Sequence, residues 1–99
     1  MSHIYLKKNW DETTGEPLTD EWGYSTYYFE VNEEYEVLRQ VQVFANNKRL
    51  KYDYSYPGDT LGSLADQPLQ IDEFEDCQIS QDLFESVWNK KSENTYSTG

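Results

Sequence analysis

Tyr35-Glu36-Val37-Leu38-Arg39-Gln40-Val41-Gln42-Val43-Phe44, with Lys48-Arg49-Leu50-Lys51-Tyr52-Asp53-Tyr54 close behind it, is the stretch on which the fold turns. In the first segment Tyr35, Val37, Arg39, Val41 and Val43 alternate with Glu36, Leu38, Gln40, Gln42 and Phe44. In the second, Leu50, Tyr52 and Tyr54 alternate with Lys51 and Asp53. A period of two is that of a strand, whose successive side chains point to opposite faces. Asn46-Asn47 lie between the segments, and Asn tolerates positive φ, so the pair reads as a hairpin.

Toward the N-terminus, Tyr24 to Asn32 sets Tyr27, Phe29 and Val31 on one side and Tyr28 and Glu30 on the other. Residues 3 to 10 carry Ile4, Leu6 and Trp10 at even positions. Both read as strands. Between them, Asp11 to Gly23 holds Gly15, Pro17, Gly23 and five acids, the composition of a solvated loop. Toward the C-terminus, Pro57-Gly58-Asp59 closes the meander and Thr60 to Gln70 is an irregular connection. Ile71 to Phe74 suggests a helical turn ahead of a short strand over Cys77 to Ile79.

Ser80 can cap a helix running from Gln81 to Lys91, with Leu83, Phe84, Val87 and Trp88 at helical spacing. Asp82 suits its positive end and Lys90 with Lys91 its negative end. The apolar stripe must cover something, and the valine face of the sheet is the large candidate. The expectation is an α+β fold: a twisted antiparallel sheet of four to six strands with the C-terminal helix packed on one face. Residues 1–91 form the single domain and residues 92–99 a polar C-terminal tail.

Lys plus Arg number 8 and Asp plus Glu 19 among the 99 residues, a net charge of −11. The cations come in pairs, Lys7/Lys8, Lys48/Arg49 and Lys90/Lys91, and make no stripe. Direct binding of nucleic acid needs a cationic footprint that releases counterions, so nucleic acid and anionic membrane are poor partners. A basic partner fits. The lone Cys77 forms no internal disulfide, whereas small secreted domains usually carry several bridges. The first residues show no charged region leading into an apolar run, and no segment approaches the ~20 apolar residues of a membrane span. The expected compartment is the cytoplasm.

Chemistry is sparse. His3 is the only histidine, and a lone histidine near a terminus is ordinarily solvated. Paired with Cys77 it would form a thiol and base, but Cys77 sits in an apolar-alternating segment that reads as a buried, inert thiol. No CxxC, HExxH, Walker-type or GxGxxG spacing is present. Asp72-Glu73-Phe74-Glu75-Asp76 is dense in carboxylates without following a calcium-loop pattern. The reading is a non-enzyme with no cofactor and no metal.

The acids concentrate in Asp11 to Glu21, Glu30 to Glu36, Asp53 with Asp59, and Asp72 to Asp76. Solubility alone is one account of them. The sharper account is a directed field that speeds association with a basic protein, while neighbouring aromatics set the off-rate. Candidate contact residues are Glu33, Glu34, Glu36, Tyr54, Tyr56, Asp59, Asp72, Glu73 and Asp76. The sheet face opposite the helix adds Tyr28, Glu30 and Asp53, with Gln40, Gln42 and Lys51 beside them. Two other classes remain. A carbohydrate-binding module would use Trp10, Trp22 and Tyr24 as a sugar platform. A hydrolase would use paired carboxylates such as Glu73 and Asp76, one with a raised pKa.

The segments Arg39-Gln40-Val41-Gln42-Val43-Phe44, Thr60-Leu61-Gly62 and Ile79-Ser80-Gln81-Asp82-Leu83-Phe84-Glu85-Ser86-Val87-Trp88 resemble a small bacterial family of unknown function. Its members open on a strand, then carry a valine-rich hairpin, a Leu-Gly loop and a closing acidic helix ending in Trp. The likeness spans about residues 3 to 90, and where that family's turn usually holds Gly this chain has Asn46-Asn47-Lys48. Small acidic domains of this kind look like immunity proteins of contact-dependent growth inhibition and related polymorphic toxin systems. The resemblance implies a cognate protein toxin as partner and no catalytic residues. A nuclease toxin, which must hold phosphates, would be basic and would attract this charge.

Overall fold

The computed structural model describes residues 3–17, 19–59, 62–65 and 67–90. The polar tail expected over 92–99 therefore lies outside the described residues, as do Lys91, Thr60 and Leu61. Four strands run in sequence as an antiparallel meander: β1 (Ile4–Trp10), β2 (Ser25–Val31), β3 (Val37–Phe44) and β4 (Arg49–Asp53). After a two-stranded ribbon, β5 (Gly58–Asp59) with β6 (Gly62–Ser63), and a single helical turn, α1 (Ile71–Phe74), the short β7 (Gln78–Ile79) returns to β1. The five-stranded order is β4-β3-β2-β1-β7, and α2 (Gln81–Trp88) packs on one face. The chain is thus α+β, a five-stranded antiparallel sheet with a helix. Among the described residues no helix is long and apolar enough to cross a membrane.

The β3–β4 hairpin closes through Ala45-Asn46-Asn47, with Phe44 donating to the Lys48 carbonyl at 2.8 Å and Asn47 to the Phe44 carbonyl at 2.9 Å. Asn47 holds φ at 72°, the left-handed position that ends a three-residue hairpin loop and that Asn occupies more easily than most side chains. The Asn46 side chain accepts from the Lys48 amide at 3.0 Å. Local hydrogen bonding by the two asparagines thus sets the register Val43 to Arg49 through Arg39 to Asp53.

The expected unbroken alternation from Tyr35 to Phe44 fails at one point. Glu30 opposes Arg39, but Val31 opposes Val37, so Leu38 is an extra residue in β3. Such a bulge turns the residues before it to the other face. Val37 packs with Leu6, Phe29 and Phe44 on the side away from the helix, whereas Val41 packs with Tyr5, Phe84 and Trp88 beneath it. Tyr35, expected in the strand, sits before it at φ 62°, its amide donating to the Asn32 carbonyl at 3.0 Å. The Asn32 side chain accepts from the amides of Glu34 and Glu36 at 2.9 and 3.0 Å, which shapes this β2–β3 turn.

Helix α2 begins where its sequence says it should, with the Ser80 hydroxyl accepting from the Leu83 amide at 3.1 Å. Phe84, Val87 and Trp88 are buried, while Leu83 lies at the margin of the stripe, 40% exposed. The helix ends at Trp88, short of the expected Lys91. Its negative end is met by cations of β4 and not by Lys90: Arg49 donates to the Val87 carbonyl at 2.9 Å and Lys51 to the Trp88 carbonyl at 2.8 Å.

Much of the second face of the sheet is covered as well. Leu6, Phe29, Phe44, Leu50 and Tyr52 are covered by Trp22, Leu64 and Phe74. These come from the stretch expected to be a solvated loop, from just past β6, and from α1. A 3-10 turn over Asp20–Trp22 brings the Trp22 ring edge-on to Phe44 at 5.0 Å, with Lys48 above it at 4.9 Å. Thr19, buried at 1% exposure, joins the Thr14 hydroxyl at 2.7 Å.

Candidate functional site

Six of the eight cations face inward or lie along the fold's own aromatic and carbonyl groups. Arg39 is the centre of this arrangement. Its guanidinium lies over the rings of Phe84 and Trp88, 4.8 and 4.9 Å from their centroids. It donates through Nε to Glu30 and through its two terminal nitrogens to Glu85 at 3.1 and 2.6 Å. Glu30 also meets His3 Nδ1 at 2.7 Å and the Tyr5 hydroxyl at 3.2 Å. Burial raises the Glu30 pKa, but the hydrogen bonds from Arg39 and His3 outweigh it and hold the carboxyl below the ordinary value. For Arg39 burial pulls downward and the carboxylates of Glu85 and Glu30 prevail, holding the guanidinium charged. Burial and then the Glu30 charge push the Tyr5 phenol up.

Lys51, Lys8 and Lys7 follow suit. Burial, and then the charge of Arg49, lower the Lys51 pKa. Lys8 rests 4.8 Å over Phe74 and donates to the Glu73 carbonyl at 3.1 Å, and Lys7 stands 5.9 Å over Tyr28. The acids point the other way. Asp11, Glu12, Glu16, Glu21, Glu33, Glu34, Glu36, Asp72, Glu73, Glu75, Asp76 and Asp82 are exposed. Positive charge is spent on packing and negative charge on the surface, so the outward field is more acidic than the composition alone implies.

The candidates expected on an open sheet face are redistributed. Tyr28, Glu30, Lys51 and Asp53 belong to the helix side, where Glu30 and Lys51 are buried and Tyr28 is half-buried. Glu30 is a structural ion-pair partner, not a contact residue, because a charge in a central strand found its counter-charge on the strand opposite. Gln40 and Gln42 face the other way and are also buried: the Gln40 amide donates to the Ser63 carbonyl and accepts from the Ala65 amide, both at 3.0 Å. Asp53 lies half-buried, its carboxylate accepting from the Ser55 and Tyr56 amides at 2.8 and 3.0 Å.

Glu33, Glu34 and Glu36 stand exposed on the β2–β3 turn, as expected. Tyr54 is 68% exposed, while Tyr56 turns in to stack on Tyr52 at 6.1 Å. Asp59 is placed in β5 by its backbone, and its side chain lies outside the described part. Asp72, Glu73 and Asp76 lie exposed on and just after α1. Of the sugar platform, Trp22 is turned into the fold, leaving Trp10 and Tyr24 along a shallow groove of about 340 Å³ with Asn9 and Asn47. His3 is engaged by Glu30 and the Cys77 thiol by the Glu73 carbonyl at 3.9 Å, so the two have different partners. Among the described residues no group of three or more His, Cys, Asp or Glu is placed to hold a metal ion.

A cleft of about 700 Å³ lies on the face away from α2. Trp10, Tyr27, Phe29 and Phe74 form its aromatic lining, and Glu16 and Glu73 bring the first and last acidic stretches to its walls. In the sequence Tyr27 and Phe29 read as one side of a strand and the two acidic stretches as separate runs, and no local signal brings them together. No protein-family model, no curated protein and no solved structure matches the chain.

Proposed function

We propose that the chain is an immunity protein: a non-catalytic inhibitor that binds a basic protein toxin, a nuclease, in the bacterial cytoplasm and blocks its access to substrate. The observation that supports this reading is the partition of charge. Cations are drawn into the fold around Arg39, Arg49 and Lys51, and carboxylates are displayed on the β2–β3 turn, on the segment after β1 and on α1. Such a surface attracts a phosphate-binding protein over a Debye length and repels the nucleic acid that protein acts on. The resemblance to small acidic immunity domains points to the same class.

The test is affinity capture of the tagged protein from its source bacterium, washed at low and then high salt, with nuclease assays on what is retained. A single basic partner, retained stoichiometrically and silent until separated, is the expected result. Recovery of no such partner from cells expressing the neighbouring genes overturns the reading. A carbohydrate-binding role draws on the Trp10–Tyr24 groove. A shift of tryptophan fluorescence with neutral oligosaccharides would favour it.

A further inference from the structure

The cleft opposite α2 is more than a gap in packing. Trp10 stands at its mouth, 46% exposed, edge-on to Tyr27 with ring centres 6.4 Å apart. Tyr27 stacks parallel on Phe29 at 5.5 Å, and Phe29 meets Phe74 edge-on at 5.8 Å. These rings form a continuous aromatic floor. Glu16, from the segment after β1, and Glu73, from α1, both line the cleft and both are exposed.

We propose that this cleft seats an arginine-bearing segment of the basic partner, the guanidinium lying against Trp10 and Tyr27 and sharing its hydrogens between Glu16 and Glu73. The proposal rests on the reading of the chain as a binder of a basic protein and names the place where that protein is held. The cleft wall already shows this chemistry: Lys8 lies over the Phe74 ring and donates to the Glu73 carbonyl, so this wall takes a cation over an aromatic face. Phe74 is thereby occupied and Tyr27 already stacks on Phe29, so the exposed Trp10 ring is the face an incoming cation meets first. Arginine fits better than lysine because its planar fork can stack on a ring and hydrogen-bond a carboxylate together. An anionic ligand meets the two carboxylates instead. The volume is in the range of built ligand sites, about 300 to 1,000 Å³, and buried aromatics beside arginine are the usual anchors of interfaces.

The experiment is a heteronuclear NMR titration of the full chain with the capped peptide Ac-Gly-Arg-Gly-Arg-Gly-NH2 to about 10 mM, since an isolated segment binds weakly. The same peptide with citrulline for arginine, the same peptide with lysine, and a neutral oligosaccharide are the controls. The expected result is shifts concentrated on the Trp10 indole N–H and the amides of Thr13, Thr14, Tyr27 and Ser63. Binding should be at least about fivefold tighter for arginine than for citrulline or lysine. Trp10→Ala, and separately Glu16→Gln with Glu73→Gln, should each weaken it about fivefold or more with an unchanged far-UV spectrum.

Shifts spread over the Glu33–Glu36 turn with the cleft silent, equal binding of the citrulline peptide, cleft shifts with the oligosaccharide alone, or no binding at all would each overturn the assignment. The broader reading fails separately. A captured nuclease whose affinity ignores Trp10→Ala and the paired Gln variant removes the cleft and leaves the immunity role. Cleft binding of the arginine peptide with no nuclease partner does the reverse.

Discussion

Arg39 on β3 and Glu85 on α2 meet as a two-pronged ion pair across the sheet–helix interface, 46 residues apart in sequence, with separations of 3.1 and 2.6 Å. The two partners differ in burial. The Arg39 side chain is 21% exposed and that of Glu85 34%, while Glu30 on Arg39's other side is at 9%. Arg39→Met strands the Glu30 carboxylate in the interior and should cost about 3 kcal/mol, the usual result of removing one member of a buried pair. Glu85→Gln keeps Arg39 paired with Glu30 and should cost about 1 kcal/mol or less. Urea unfolding followed by tryptophan fluorescence separates the two, and equal losses would contradict the asymmetry.

Glu30 should also write itself into the pH dependence of stability. Its folded-state pKa lies below the ordinary carboxylate value, so its contribution is fully present above the unfolded value of about 4.5 and is lost as pH falls through the folded one. Acidification also relieves repulsion among the surface carboxylates, but equally in wild type and in Glu30→Gln. The difference between the two proteins isolates the site. It should be about 2 kcal/mol at pH 7, narrow below pH 4.5 and vanish further down, as read by unfolding midpoints across that range.

The start of α2 rests on one hydroxyl. Ser80→Ala removes the acceptor for the Leu83 amide and should cost about 1 kcal/mol, a fall in melting temperature of roughly 4 to 8 °C for a domain this size. Ser80→Asp should restore most of it, because an aspartate caps equally well and its charge suits the helix start. Calorimetry on the pair decides it.

Gln40 ties the β5–β6 ribbon to the sheet through both ends of its amide. Gln40→Ala leaves the Ser63 carbonyl and the Ala65 amide without these partners, at about 2 kcal/mol. Exchange of the Leu64 and Ala65 amides should accelerate about tenfold or more while that of β3 stays slow. Uniform acceleration across the sheet would instead mean that the ribbon and the sheet open as one unit.

On the proposed immunity role, association with a basic partner should respond to charge far from any contact. Glu33→Lys with Glu34→Lys reverses two exposed carboxylates on the β2–β3 turn without touching the Asn32 oxygen that shapes it. The association rate should fall about tenfold at low salt and depend less steeply on ionic strength, with dissociation little changed. Asp53 is unsuitable for the same reversal, since its carboxylate holds the Ser55 and Tyr56 amides. Stopped-flow kinetics at two salt concentrations reads both quantities.

The strands, the hairpin and the capped helix were legible because each is encoded by neighbours in the chain: alternation in Tyr27 to Val31, asparagines at the turn, Ser80 before Leu83. What was illegible depends on distance. The bulge at Leu38 obeys the demand that Val37 and Val41 serve two different cores, a demand visible only once both layers are in place. Glu30 reads as solvent-facing in any strand pattern, and nothing local tells that Arg39 and Tyr5 will face it. The helix end looked provided for by Lys90, yet β4 reaches it first. The exposure of the Glu33–Glu36 carboxylates was legible, while the cleft was not, because its walls come from segments separated by more than fifty residues.

Because Arg39, Arg49 and Lys51 are committed to holding α2 on the sheet, substitutions at exposed carboxylates that accept no hydrogen bond from the fold, unlike Glu36, leave the architecture alone. On the proposed role, recognition and folding fall to different residues. Such a chain could exchange one basic partner for another through the exposed carboxylates of the segment after β1, the β2–β3 turn and α1, while Thr19, Trp22 and Phe74 of the same segments stay with the interior. A library confined to the exposed carboxylates of those segments, with Thr19, Trp22, Asn32 and Phe74 kept, varies the surface while sparing the residues that hold the fold.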